Sequence, residues 1–445
     1  MRGLVHARAA SPLPRSPRVS PHRAARPIAW AIGGLLLLVG GRGDAQTTGD
    51  QGQADEQAST DWPVVIARLR QEMSQRSGQA RMRQQLATAY NNYGVQLGEQ
   101  RQWDPAIQQL QEAIELDAAN GQFKSNLSSI YVNQASEAYE HHQINAALEA
   151  LDKATALAPN TAAAYALRGQ IEYDRQRLKE AKAAWQRALE LDPTQATLAD
   201  RLTQVTNELP IESKFERLSQ GYFDLRYQEQ LESPSGFNIG DVLLEARRSV
   251  GSDFAHWPKY KLVVLIYSPE MFRTLRKETP DWVGGQFDGK IRVPLPSAQM
   301  SHATVRQILF HEYTHAIIQD LTSGRCPLWL NEGLAEYEGR TQLPGTLKRL
   351  KAACDSKRLI PWQELAAHFS TTRSAEEVAL AYEESYSVTA YLVKRYGFWR
   401  IRRLLKVLAD GQPWETALSG EFHLKPAKIE ANWRDWLLEL LTASP

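Results

Sequence analysis

Two hydrophobic patterns succeed one another along the chain. Over residues 62–209 the apolar residues recur every three or four positions, which predicts a series of amphipathic helices. After Pro210, Tyr222–Tyr227 alternates as a strand does, and Lys261–Tyr267 is the continuous apolar run of a central strand. Residues beyond 300 return to helical spacing. The pattern predicts an all-helical segment followed by an α+β domain.

The helical segment contains an internal repeat. The positions Trp103, Ala106 and Ala113 recur first 41 and then 34 residues further along the chain. The 34-residue unit, which closes at Pro193, resembles the tetratricopeptide repeat (TPR). We expect the seven extra residues of the longer unit in the helices around Ser129–His142. The resemblance implies a helical solenoid with a concave groove, which serves either as a plain scaffold or as a docking surface for a substrate or protein partner.

Candidate metal-binding residues lie on a predicted helix at residues 303–321. His311 and His315 are four residues apart, so they lie on one helix face and can bind one metal ion side by side. Glu312 would sit beside the open coordination position, where its carboxylate can accept a proton from a metal-activated water.

A second predicted helix, starting at Pro327, would bring carboxylates to these histidines. Glu332 lies 17 residues after His315, far enough for the chain to turn back. Two histidines and one glutamate are a standard ligand set for catalytic zinc. Glu336 lies one turn later on the same face, where it can accept a hydrogen bond from a ligand histidine and orient the ring.

The two segments together resemble a known family. His311-Glu312-Tyr313-Thr314-His315 followed by Trp329–Tyr337 is similar to the gluzincin zinc metallopeptidases, and most similar to their bacterial peptidase MA-like branch. The resemblance implies a thermolysin-like α+β domain that binds Zn²⁺ through His311, His315 and Glu332. It also implies that Glu312 is the general base.

Two further elements of the family have counterparts here. Residues 286–295 resemble the edge strand that aligns an extended substrate, although the Gly-x-Met-Glu-Asn motif of the aminopeptidase branch is absent from the sequence. The helix after Ala381 resembles the gluzincin helix whose tyrosine hydroxyl stabilises the oxyanion. Tyr382 matches best by register, and Tyr386, one turn later, is the competing candidate.

The amino terminus indicates export. Seven arginines and one acidic residue accompany the short apolar run Ile28–Gly41, and Gly43 and Ala45 fit cleavage after Ala45. We expect a signal peptide at residues 1–45, a flexible linker at 46–61, and a location in the periplasm, the cell envelope or the medium. If the segment is not cleaved it would anchor the chain, although the run is shorter than the roughly 20 residues of a membrane span.

Charge and cysteine content exclude two classes of protein. The chain carries a net charge of +1, and without residues 1–45 it has 45 basic and 50 acidic residues, a net charge of −5. A mildly acidic protein has no electrostatic footprint for nucleic acid. Cys326 and Cys354 are too few for a disulfide-rich scaffold but allow one bridge, which would fix the loop between the two ligand helices.

The sequence therefore predicts TPR-like repeats at residues 62–209 and a gluzincin-like metallopeptidase domain at 210–445. The expected function is an exported zinc peptidase that cleaves peptide or protein substrates, with the repeats docking substrate or partner. The alternative is a cell-envelope scaffold whose zinc domain is structural or silent. A third hypothesis is a zinc hydrolase acting on a non-peptide amide such as cell-wall material.

Overall fold

The computed structural model describes residues 61–75, 79–228, 238–275, 286–295, 301–340, 348–370 and 373–443. The predicted signal peptide and nearly all of the predicted linker lie outside this part of the chain. Among the helices that the structure describes, none is long and apolar enough to span a membrane.

The amino-terminal part is an array of paired helices. Their bounds are α1 (Trp62–Gln75), α2 (Gln79–Glu99), α3 (Trp103–Leu116), α4 (Gly121–Glu140), α5 (Ile144–Leu157), α6 (Ala162–Asp174), α7 (Leu178–Leu191) and α8 (Ala196–Glu212). The repeated alanines are fully buried, which lets the helices of each pair approach closely. The prediction for the longer unit is confirmed, because α4 has 20 residues and α6 has 13.

The carboxyl-terminal part contains a five-stranded sheet in the order β1-β2-β3-β5-β4. The strands are β1 (Glu216–Gln220), β2 (Phe223–Tyr227), β3 (Leu262–Tyr267), β4 (Gln286–Phe287) and β5 (Ile291–Pro294). The central strands β2, β3 and β5 are parallel, while β1 and β4 run antiparallel at the two edges. The predicted strands at 222–227 and 261–267 are thus confirmed as β2 and β3.

Further helices flank the sheet. They are α9 (Ile239–Phe254), α10 (Pro269–Leu275), α11 (His302–Thr322), α12 (Leu328–Gly339), α13 (Lys348–Asp355), α14 (Trp362–Leu365), α15 (Ala375–Tyr396), α16 (Phe398–Ala409), α17 (Trp414–Phe422) and α18 (Pro426–Ala443). The short helix α10 lies on the array side of the sheet, where Phe272 packs against β3, and the other helices lie on the opposite side. A 3₁₀ turn at Ala366–Phe369 follows α14. The main core joins Phe223, Val264 and Ile291 of the sheet to α9, α11 and the later helices.

The helical array covers the opposite face of the sheet. Arg292 of β5 is fully buried and forms ion pairs of 3.3 Å with Glu208 and 2.7 Å with Glu212, both on α8. It also pairs with Asp288 at 3.1 Å. α8 continues through Pro210 to Glu212, three residues beyond the predicted end of the array, and the buried ion pair explains why this last turn stays helical.

Candidate metal centre

Helix α11 passes through the core directly under the sheet. Ser301 caps its start by accepting a hydrogen bond from the Thr304 backbone N–H, an interaction that stabilises a helix by about 1 kcal/mol. Phe310, Tyr313 and Ile317 on the helix are buried in the main core. This packing holds the intervening polar face of α11 in a fixed direction.

The polar face presents two histidines to one point. The Nε2 atoms of His311 and His315 lie 3.1 Å apart. Oε2 of Glu332, on α12, lies 3.6 Å from the first of these atoms and 3.5 Å from the second. One donor atom from each residue lies within 4.8 Å of the others, and all three side chains are partly buried. The structure therefore brings together the three residues predicted as metal ligands.

The second nitrogen of each imidazole is held by α12. Nδ1 of His315 lies 3.0 Å from Oδ1 of Asn331. Nδ1 of His311 lies 3.4 Å from Glu336, whose carboxylate also pairs with Arg340 at 2.5 Å. These partners leave both Nε2 atoms free to face the common point. Sequence reasoning anticipated the placement of Glu336 but missed Asn331, although it stands next to Glu332 in the Asn-Glu-Gly motif.

Two glycines allow α12 to approach its neighbours this closely. A Cβ atom at Gly333 would lie 2.4 Å from the backbone oxygen of Ser385 on α15. A Cβ atom at Gly339 would lie 3.0 Å from the backbone oxygen of Gln307 on α11. Because glycine has no Cβ atom, α12 can approach α15 and α11 closely at these two positions. The close approach brings Glu332 near both neighbouring helices.

The proposed general base lies beside the ligand group. Glu312 is buried, with a side chain only 3% exposed, and its Oε2 has no hydrogen-bond partner. Burial raises the pKa of this carboxyl, and the nearby histidines oppose the rise. A buried carboxylate with an unused oxygen is available to accept a proton from a reacting molecule.

Only one of the two candidate tyrosines reaches the ligand group. Tyr382 on α15 forms a hydrogen bond with Glu332, and its pKa is raised by burial and by the charges of Glu332 and Glu336. Tyr386 instead lies under Arg340, whose guanidinium is 4.9 Å from the centre of its ring. Burial raises the pKa of Tyr386 to about 12.

The electrostatics of the group suit a cation. Burial lowers the pKa of His315, but the Glu332 carboxylate outweighs it and the pKa rises to about 9. Burial acts in the opposite direction on Glu332, yet the two histidines hold the pKa of this carboxyl far below its usual range. Oε2 of Glu332 is buried and has no hydrogen bond of normal geometry. A metal ion would occupy the point that these donors share, and two imidazoles with one carboxylate suit zinc.

The two remaining predicted features are the edge strand at residues 286–295 and the bridge between Cys326 and Cys354. Residues 286–294 form a hairpin at the sheet edge, with β4 outermost and β5 paired between β3 and β4. Cys326 and Cys354, between which the sequence allowed one bridge, are free, partly buried thiols in this structure. Burial raises the pKa of each thiol, and the Glu332 charge adds to the effect at Cys326.

Comparison with known protein families matches one segment in each of the two parts of the chain. Residues 276–439 match the Peptidase MA superfamily, and residues 162–195 match the tetratricopeptide repeat. No curated protein matches the chain.

Two solved structures match part of the chain. One is the first TPR of Spaghetti (RPAP3) bound to the HSP90 peptide SRMEEVD, at 25% identity. The other is the first TPR domain of human RPAP3, solved by NMR, at 24% identity. Each match covers 28% of this chain and 94% of the other, with a TM-score of 0.22. A TM-score this low supports no conclusion about ligands. The chain thus carries a Peptidase MA superfamily domain at residues 276–439, preceded by tetratricopeptide-type helical repeats.

Proposed function

We propose that this protein is an exported, zinc-dependent peptidase. The convergence of His311, His315 and Glu332 beside Glu312, whose buried Oε2 has no hydrogen-bond partner, carries the proposal. A buried carboxylate next to a three-donor metal group is the arrangement that activates water for attack on an amide. The superfamily match over residues 276–439 supports peptide bonds as the substrate.

The mechanism assigns a task to each residue. His311, His315 and Glu332 would hold zinc, which supplies a Lewis acid that increases the acidity of water and polarises a carbonyl. Glu312 takes a proton from the attacking water and returns it to the leaving amine. The hydroxyl of Tyr382 donates a hydrogen bond to the negative oxygen that develops on the scissile carbonyl.

The sheet edge and the array would select the substrate. Among the described strands β4 is the outermost on this side, and its outer edge would pair with an extended peptide. Such pairing would hold the scissile bond in one orientation. The helical repeats would dock a substrate or a protein partner, and the arginine-rich, then apolar amino terminus would direct the chain to the periplasm or cell envelope.

Metal content and turnover test the proposal on residues 46–445. We expect about one zinc per chain by elemental mass spectrometry, and loss of that zinc in Glu332→Ala. Cleavage of a mixed peptide library, followed by mass spectrometry, should occur with the parent chain. Glu312→Gln should keep the zinc and lose cleavage, whereas Glu338→Gln is the matched control because it makes the same substitution at another buried glutamate of this domain and should keep both.

Three results would contradict parts of the proposed function. Unchanged turnover in Glu312→Gln would exclude its role as general base. An unchanged zinc content in Glu332→Ala would place the third ligand elsewhere. Absence of bound zinc and of zinc uptake would instead favour the scaffold hypothesis, in which the repeats assemble a complex around a silent domain.

A further inference from the structure

A cavity of about 870 Å³ lies between the helical array and the sheet. Its array side includes the turns at Arg101, His142 and Gln176, and its other side includes Arg226 of β2 and Asp320 of α11. We call it the junction cavity and define it by these five residues. Its volume is in the range of ligand-binding pockets, and none of the three metal donors lines it.

The array side of the junction cavity is built from equivalent positions of successive repeats. Arg101, His142 and Gln176 each adopt a left-handed backbone conformation, with φ of 59°, 57° and 58°. They are separated by 41 and 34 residues, which are the intervals of the repeat itself. Each closes the turn between two helices with a backbone hydrogen bond of 2.9 Å. The three turns therefore line one side of the cavity with the same backbone conformation.

Contacts also join the array directly to the carboxyl-terminal part of the chain beside the cavity. His142 stacks on Tyr260 with ring centres 3.9 Å apart and lies 2.9 Å from Asp320. Elsewhere on the interface, Lys290 of the hairpin donates to Gln176 at 2.6 Å. A molecule in the junction cavity would therefore contact both parts of the chain at once.

The cavity carries an excess of positive charge. Seven arginine and lysine side chains line it, against four aspartates and glutamates. Three of those four acids already have partners. Asp224 is bound by Arg217 and Arg226, Asp320 by two histidines, and Asp174 by a tyrosine and a glutamine.

One guanidinium of the cavity has unused hydrogen-bonding capacity. Arg226 has a side chain only 18% exposed, and it makes one bond of 3.2 Å to Asp224. Its Nε–H is buried and has no acceptor. Arg175 and Arg177 face the cavity from the array side and share a single carboxylate, that of Glu172. Guanidinium groups in this state favour a carboxylate ligand.

We propose that the junction cavity binds an acidic segment of a polypeptide. Carboxylates of the segment would pair with Arg226 on the sheet side and with Arg175 and Arg177 on the array side. The lining also includes Ile171 and Phe287, which suits a chain that carries apolar as well as acidic side chains better than a compact inorganic anion. Phe287 belongs to the edge hairpin, so a bound segment lies next to the strand proposed to hold the substrate.

Binding is measured without turnover. The probe is a fluorescein-labelled peptide rich in Glu and Leu, and its control has Gln in place of every Glu. Fluorescence anisotropy is followed with residues 46–445 carrying Glu312→Gln, so the peptide stays intact. We expect the Glu peptide to bind at least about tenfold more tightly than the Gln peptide, with an affinity that falls as salt rises.

Matched arginine variants locate the site. Arg226→Gln and Arg177→Gln should each weaken binding by about tenfold or more. Arg177 has about half of its side chain exposed, so its replacement leaves the fold intact even if Arg226→Gln lowers the melting temperature. Arg68→Gln removes the same charge from an exposed face of α1 and should bind the peptide like the parent chain.

Several results would overturn the proposal. Equal binding of the Glu and Gln peptides, or unchanged binding in both cavity variants, excludes an acidic segment at this site. Binding of tripolyphosphate with the same variant dependence, and no binding of the Glu peptide, would make it a small-anion site.

Activity measurements identify the source of the acidic segment, and this step alone rests on the proposed peptidase function. An acidic segment that lowers KM for a linked cleavable peptide, and loses the effect in Arg226→Gln, belongs to a substrate. A segment that binds through the same arginines but leaves KM unchanged belongs to a partner. Both outcomes are consistent with the proposed binding site. If the chain has no peptidase activity, the anisotropy result still stands, because binding is measured without turnover.

Discussion

Replacement of Gly333 by alanine tests whether close packing of α12 positions the metal donors. The new Cβ would lie 2.4 Å from the carbonyl oxygen of Ser385 and 2.4 Å from Oγ1 of Thr389. Relaxed carbon–oxygen contacts lie at about 3.3 Å, so α12 must move away from α15 by about 1 Å. The clash with Ser385 involves backbone, and a change of side-chain rotamer cannot relieve it.

The displacement has two measurable consequences. Overpacking of this kind costs about 3 kcal/mol, and alanine returns about 1 kcal/mol through its higher helix propensity, so the net destabilisation is about 2 kcal/mol. A shift of about 1 Å at Glu332 also exceeds the tolerance of about 0.2 Å in a metal–ligand distance. Zinc affinity should therefore fall by about 10- to 100-fold, the range found when support of a metal ligand is lost.

The assay is a competition titration of zinc against a chromophoric chelator, with a thermal melt of the metal-free chain. Gly420→Ala is the matched control, because Gly420 lies inside α17 and a Cβ there meets nothing within 4 Å. That variant should keep the parent zinc affinity and gain about 0.5–1 kcal/mol. If Gly333→Ala also keeps the parent zinc affinity and melting temperature, the packing of α12 does not position the donors.

Three further changes test other parts of the site and core. Tyr382→Phe should lower kcat by about 10²-fold with zinc content unchanged, whereas Tyr386→Phe should leave kcat near the parent value; equal losses in steady-state assays would contradict the assignment. Asn331→Ala should lower zinc affinity by about 10- to 100-fold in a chelator titration, and parent-like affinity would show that His315 needs no orienting partner. Burial raises the pKa of Glu384 to about 8, so the folded chain retains a proton that the unfolded chain releases near pH 4.5. Its contribution to stability should be full below that pH and fall by up to about 1.4 kcal/mol per unit as pH rises towards 8. Melts across this range should show a flatter dependence in Glu384→Gln than in the parent, and identical slopes would exclude the shifted pKa.

The metal group was predictable from sequence because its geometry is local. The spacing of His311 and His315 fixes their common face once α11 is helical, and Glu332 needs only a short loop to return. The intervals of the repeat likewise identified the array and placed the seven extra residues in α4. In each case the sequence distance between interacting positions is short or periodic, so spacing alone carries the information.

Residues whose role depends on packing between distant helices were not predictable. Tyr382 and Tyr386 are one turn apart on α15, and only the position of α12 decides which of them reaches Glu332. Asn331 is a similar case, since its amide meets His315 only when α11 and α12 pack closely. The junction cavity combines turns from three repeats with the sheet, and no motif in the sequence joins those segments.

The burial of β5 shows that the array and the sheet share one buried interface. Lys290 and Arg292 alternate with Ile291 and Val293, a pattern that in isolation predicts a strand with one solvated face. Instead both charged side chains are fully buried, because α6 and α8 cover that face. Burial lowers the pKa of Lys290 to about 8.

A buried arginine is tolerated only while its partners remain. A cut at residue 210 would remove Glu208 and Tyr173, which both contact Arg292, and Gln176, which contacts Lys290. The cut would leave Arg292 with Glu212 and Asp288 as its acidic partners, and it would remove the array from the side of the hairpin that carries both cations. The array therefore covers the second face of the sheet, and the proposed peptidase activity should be measured on a chain that retains the array.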